Sequence, residues 1–181
     1  MLIKFLKHTG AAQDGQPGDP DARLAIDYLQ GEMVLKPERA GSPKVWIKRA
    51  TAPIPISGNA WLISQTCAAL PFQHRYASGV IAFDRHDIDI AAWTAGDVAL
   101  HGLTDALMRD FEDTAFAGIP EEHRPEVLWN AHTDKRRLEL NFLFARAVLD
   151  SQGRLKAINP NPTRRMRSKG RPAPGRLPFL R

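Results

Sequence analysis

The sequence predicts an α+β fold: one mostly antiparallel five-stranded sheet with helices packed on one face. Three observations lead there. Segments with alternating or continuous apolar residues are separated by segments of helical periodicity. The last two strand-like segments, EVLWNAH and RLELNFLFARAVL, are joined only by the polar turn TDKR, which reads as a hairpin. A chain of 181 residues that is 43% hydrophobic fits one ordinary domain with a buried core.

The elements follow in order. MLIKF reads as a first strand, with Leu2, Phe5 and Leu6 around Lys4. GAAQDGQPGDP, residues 10–20, is a glycine- and proline-rich loop without the lysine of a phosphate-binding loop. Pro20 and Asp21 then start a helix in which Ala22, Ala25, Ile26 and Leu29 share a face, and Gly31 stops it. KVWIKR, residues 44–49, is the next strand. The proline-bounded ATAPIPISG leads into a helix lined by Ala60, Ile63, Cys67 and Leu70. YASGVIAF, residues 76–83, is nearly all apolar and therefore an interior strand. A longer helix within residues 97–116 carries Leu103, Leu107 and Phe111 at four-residue spacing and ends at Gly118 and Pro120.

Charge divides the chain. Nine of the 25 basic residues and none of the 20 acidic ones lie in residues 151–181, which leaves residues 1–150 with 16 basic against 20 acidic, a net −4. The expected organisation is a folded domain over residues 1–159 and a basic, proline-rich, disordered tail over 160–181. Such a tail suits phosphate contacts, and equally suits a merely solubilising end. No apolar run approaches the roughly 18 residues of a membrane span, and the opening MLIKFLKHTG is too short and polar for a signal peptide. A single cysteine, Cys67, excludes an internal disulfide and points to a reducing compartment, so the cytoplasm is expected.

The chemistry concentrates in HTDKRRLELNF. Side chains alternate along a strand, so Leu138, Leu140, Phe142 and Phe144 face the core while Arg137, Glu139, Asn141 and Leu143 face the other way. On the partner strand Val127 and Trp129 face the core, with Leu128, Asn130 and His132 opposite. A four-residue turn pairing His132 with Arg137 would put His132 diagonal to Glu139. One imidazole, one carboxylate and one amide oxygen then form a ligand set suited to Mg²⁺ or Mn²⁺ rather than zinc. A solvated sheet face would carry the same residues. Of the two tyrosines, Tyr76 opens a strand, whereas Tyr28 lies roughly 110° from the centre of its helix's apolar stripe, hydroxyl outward. That position also fits amphipathic packing, because a phenol is a poor nucleophile without activation.

The order GDPDARLAIDYLQG, YASGVIAF, VLWNAHTDKRRLELNF resembles the relaxases that mobilise small plasmids, within them the mobilisation proteins of colicin-type plasmids. The resemblance runs from MLIKF to about Asn159, with residues 32–75 aligned less surely. Most relaxases carry three histidines where this subgroup carries histidine, glutamate and asparagine. The resemblance implies a relaxase-like sandwich fold, Tyr28 as nucleophile, and His132, Glu139 and Asn141 as ligands of Mg²⁺ or Mn²⁺. It implies nicking of one DNA strand at the origin of transfer through a 5′-phosphotyrosine, with single-stranded plasmid DNA and mobilisation accessory proteins as partners. Candidate DNA contacts are Lys4, Lys44, Lys48, Arg49, Arg136 and Arg137, with Arg164, Arg165 and Arg167 in the tail; each is also readable as ordinary surface charge. Two alternatives stand beside it: a replication initiator of the same chemistry, cutting a double-strand origin in a stem-loop, and a truncated, non-catalytic remnant that binds DNA through its basic tail.

Overall fold

The structure, a computed structural model, describes residues 1–6, 22–37, 39, 41–150 and 152–160. The residue 10–20 loop and the tail beyond residue 160, Arg164, Arg165 and Arg167 included, lie outside the described residues. Five strands form one sheet: β1 (Leu2–Phe5), β4 (Ile54–Ser57), β5 (Tyr76–Ala82), β6 (Val127–His132) and β7 (Glu139–Ala145), in the order β1-β5-β7-β6-β4. Every neighbouring pair is antiparallel. Two hairpins stand apart from it, β2 (Met33–Pro37) with β3 (Lys44–Lys48), and β8 (Ala147–Leu149) with β9 (Leu155–Ala157). The helices are α1 (Ala22–Gln30), α2 (Ala60–Ala69), α3 (Ile90–Thr94) and α4 (Val98–Ala115).

The expected α+β class and the five-stranded antiparallel sheet are both present, but helices cover both faces of the sheet rather than one. On the first face α3 and α4 pack against Trp129, Leu140, Phe142 and Phe144, all essentially buried. Aromatic rings meet there edge to face: Phe111 with Trp129 at 5.5 Å and 84°, Phe5 with Phe142 at 5.3 Å and 74°. Each such ring contributes roughly 1.5–3 kcal/mol by burial and somewhat more by ring geometry. Gly79 belongs to this packing, because a Cβ there would collide with the Phe142 ring and the Lys4 carbonyl. On the second face α1 and α2 pack on Leu128 and Leu143 through Ala22, Ile26, Leu29, Ile63 and Cys67.

Local chemistry fixes the helix ends. Asn59 caps α2 by accepting from the Leu62 amide at 3.0 Å, and Asp97 caps α4 by accepting from Leu100 at 2.9 Å. Gly31 closes α1, donating to the Asp27 carbonyl at 2.7 Å in a fold of chain that leaves no room for a Cβ.

Four expectations change. KVWIKR does not join the main sheet; it pairs with residues 33–37. The fifth strand is instead IPIS, an edge strand with an irregular register between Pro55 and Ser57. A proline is tolerated at such an edge, where its missing N–H breaks no central ladder. On α4 the buried stripe is Thr104, Met108 and Phe111, and Leu103 is exposed. Thr104 can be buried because it donates to the His101 carbonyl (2.9 Å) and accepts from the Trp93 indole (3.3 Å). Finally, the β6–β7 turn is longer than four residues: His132 pairs with Glu139, not Arg137.

Candidate active site on the polar face of the hairpin

The longer turn moves the register by two residues, so every side chain keeps its expected face while the cross-strand partners change. His132 lies directly opposite Glu139 and Asn130 directly opposite Asn141. These four residues occupy the corners of a rectangle on the face covered by α1 and α2, each with at most 6% of its surface exposed. Beyond them on the same face come Leu128 and Leu143, opposite each other and apolar.

His132 is held from above. One ring nitrogen, Nε2, lies 2.8 Å from the Leu29 carbonyl at the end of α1. A carbonyl only accepts, so Nε2 carries the proton and Nδ1 keeps its lone pair. Burial pushes the imidazole below its ordinary pKa, the Leu29 carbonyl opposes that, and the Arg49 guanidinium adds to it. His132 is therefore neutral at pH 7, the form that binds metals.

Glu139 is ionised. Burial works against its charge, but Lys135 Nζ (2.9 and 3.2 Å) and Arg137 Nε and Nη2 (3.0 and 2.6 Å) donate to the carboxylate and hold it below its ordinary pKa. Both cations have side chains about half exposed, 54% and 43%, so they stay partly hydrated while they neutralise the buried carboxylate. Asn141 donates from Nδ2 to the Glu139 carbonyl at 3.1 Å, which leaves Oδ1 as the end of the amide with acceptor capacity. An imidazole nitrogen, a carboxylate and amide oxygen is a donor set that a hard divalent cation accepts. Among the described residues no group of three or more His, Cys, Asp or Glu side chains could hold a metal ion; His132 and Glu139 are two such side chains, and the third donor here is an amide.

Tyr28 stands over this patch. It leaves the outer side of α1, 47% exposed, with its ring edge-on to His132 at 6.2 Å and 67°. Arg49, just after β3, fixes it: the guanidinium lies 4.8 Å from the Tyr28 ring centroid. The same group donates to the backbone carbonyls of Tyr28 (2.8 Å) and Gly31 (3.1 Å), satisfying the last turn of α1, and pairs with Asp134 at 3.5 Å. The structure thus brings Tyr28, His132, Glu139 and Asn141 to one face, although α1 and the hairpin lie about a hundred residues apart in sequence.

The expected DNA contacts divide. Arg49 is buried, only 7% exposed, and its donors face protein groups. Arg137 is engaged with Glu139. Lys4 on β1 is exposed, as are Lys44 and Lys48 on β3, the latter paired with Glu32 at 3.5 Å. Arg136 is exposed at the tip of the turn with φ +56°. Sequence reasoning missed the structural parts of Arg49, Asp134, Asn130 and Lys135. For Asn130, Asp134 and Lys135 the available signal was proximity to His132 in WNAH and HTDK; Arg49 offered none.

The chain is similar to the DNA relaxase MbeA of Escherichia coli, 30% identical over 101 residues. That alignment covers 56% of this chain and 17% of MbeA, so the chain spans about a sixth of that relative's length. No family model matches the chain, and no solved structure does. No helix among the described residues is long and apolar enough to cross a membrane.

Proposed function

We propose that this chain is the tyrosine nuclease domain of a plasmid mobilisation relaxase, nicking one strand of DNA at an origin of transfer. The observation that carries the reading is the approach of Tyr28, edge-on to His132 at 6.2 Å, above the face that also carries Glu139 and Asn141. The similarity to a DNA relaxase points the same way. His132, Glu139 and Asn141 would hold Mg²⁺ or Mn²⁺, whose charge would favour the phosphorane-like transition state of a bound phosphodiester.

The chain's own residues perform the transfer. The Tyr28 phenolic oxygen attacks phosphorus, and the bond from phosphorus to the 3′ oxygen breaks. The phenol releases its proton and the leaving oxygen takes one up as a 3′ hydroxyl, while the 5′ phosphate remains esterified to Tyr28. The bond energy is kept in the phosphotyrosine, so the strand can be resealed by reversal. Arg49 holds the ring for in-line attack from one side and, through the Tyr28 and Gly31 carbonyls, holds the helix end that carries it.

Single-stranded DNA suits the β2–β3 hairpin. Leu35 and Trp46 pair on one of its faces, 50% and 65% exposed, with Lys44 and Lys48 on the same side. Exposed aromatic and basic residues at alternate positions offer stacking and phosphate contacts together, a local cluster that offsets the domain's net negative charge. Mobilisation accessory proteins, and the cytoplasm as the site of action, belong to the same reading.

The test is a covalent adduct. Incubated with Mn²⁺ and a single-stranded origin oligonucleotide, the protein is expected to shift by the mass of one cleavage fragment, and Tyr28→Phe to give none. Adduct formation by the Tyr28→Phe protein would overturn the assignment of the nucleophile.

A further inference from the structure

Asn130 is the fourth corner of the polar rectangle, and the mechanism above makes no use of it. It is fully buried, 0% exposed. Among the described residues neither its Oδ1 nor its Nδ2 has a hydrogen-bond partner. Buried side-chain amides are almost always bonded, and leaving one unmet forfeits the hydration it had in the unfolded chain. Its surroundings explain neither atom. Cross-strand on one side is Pro55 on β4, on the other Asn141, whose Nδ2 is already directed to Glu139. The next pair on the same face, Leu128 and Leu143, is apolar and packed under α2. An ordinary sequence would continue that apolar surface with a leucine or valine.

The position of Asn130 suggests its partner. It is two residues from His132 on β6, directly opposite Asn141, and diagonal to Glu139. Opposed Cβ atoms in such a ladder lie roughly 5 Å apart and diagonal ones about 7–8 Å, so four short side chains from these corners can converge on one point above the sheet. Hard divalent cations take about six oxygen-rich ligands, water among them, so a site of three side chains leaves room for one more protein oxygen.

We propose that Asn130 is a fourth protein ligand of the divalent cation, with Oδ1 bound to the metal. This rests on the reading of His132, Glu139 and Asn141 as the metal site. The fourth oxygen gives the site a preference for Mg²⁺ or Mn²⁺ over zinc, which four-coordinate nitrogen and sulfur sites favour. It also accounts for a polar side chain in a place where packing alone calls for an apolar one.

Calorimetric titration of Mn²⁺ into the full chain, with a single-stranded oligonucleotide present, tests it alongside urea unfolding without metal. Wild type should bind one Mn²⁺, and His132→Ala should not. Asn130→Leu, which keeps the branching and number of heavy atoms, should unfold at higher urea than wild type in the absence of metal while binding Mn²⁺ at least tenfold more weakly. Asn130→Asp, which keeps the oxygen and adds charge, should bind at least as tightly as wild type. Mn²⁺ binding by Asn130→Leu equal to wild type, with His132→Ala inert, would overturn the role of Asn130 and leave the three-residue site standing. No binding by wild type would overturn the metal site itself and this inference with it.

Discussion

Along β6 and β7, residues one apart in sequence enter two different environments. Trp129, Phe142 and Phe144 turn to α4 and close into a dry aromatic layer. Asn130, His132, Glu139 and Asn141 turn to α1 and are buried almost as completely, at 0–6% exposure, yet they are polar. Burial of apolar rings is favourable wherever it happens. Burial of an amide or carboxylate is unfavourable unless something meets it. The same two strands therefore divide their work: one face holds the domain together, and the other carries a cost that the hairpin's own cations, a neighbouring helix or a bound group must offset. The tyrosine is brought to the second face by α1, whose carbonyl ends are met by His132 and Arg49.

The strongest way to break this contrast is to remove a ring from the dry face. Phe142 touches Phe5, Phe111 and Trp129 at centroid distances of 5.3, 4.3 and 5.4 Å, and is 0% exposed. Phe142→Ala is expected to cost about 3–5 kcal/mol, read as a lower urea midpoint. Most of a small domain's stability is of that size. Any loss of nicking in this variant should follow the fraction unfolded. A loss below about 1 kcal/mol would mean that the aromatic layer is not the main support.

The middle effect lies where the two functions meet. Arg49→Ala removes donors from the Tyr28 and Gly31 carbonyls and leaves Asp134 without its cation. A loss of about 1.5–3 kcal/mol is expected for charged hydrogen bonds of this kind. Unlike Phe142→Ala, it should also slow adduct formation in the fraction that remains folded, because the Tyr28 ring loses its support. Arg49→Lys should recover little, since one ammonium cannot reproduce a planar fork over a ring and two carbonyls. Wild-type nicking per folded molecule in Arg49→Ala would show that Arg49 serves the fold alone.

These two faces were unequally legible in the sequence. The alternation in VLWNAH and LELNF places core and polar residues correctly because period two survives any shift of register by two. That same tolerance hid the length of the turn, and with it the direct opposition of His132 and Glu139. IPIS escaped notice as a strand because proline argues against a central strand and says nothing against an edge. α3 and β2, five residues each, are too short for a period to register. Arg49 looked like a DNA contact because charge alone implies exposure. Its partners are mostly backbone carbonyls, which no residue letter announces. Asn130 sat beside His132 in plain view, but its lack of partners is a property of packing.

The smallest effect sharpens the comparison through pH. Burial lowers the His132 pKa in the folded chain below the 6.5 of an ordinary imidazole. The unfolded chain therefore takes up a proton first as pH falls, and stability rises with pH wherever the unfolded state holds more protons. Well above the ordinary imidazole pKa, from about pH 7.5, both states are neutral at this residue and no slope is expected from it. Below that, stability should fall with decreasing pH, by no more than ~1.4 kcal/mol per pH unit for one proton, until the folded imidazole is protonated too. Glu139, also lowered in the folded state, loses its contribution only as pH passes below 4.5, so the two groups act in separate windows. Urea midpoints between pH 7.5 and 5 should decline for wild type and stay flatter in His132→Gln. An equal decline in both would place the titrating group elsewhere. A flat wild-type profile would mean that His132 is not held neutral by burial, and the polar face would then be better solvated than its contacts with Leu29 and Tyr28 require.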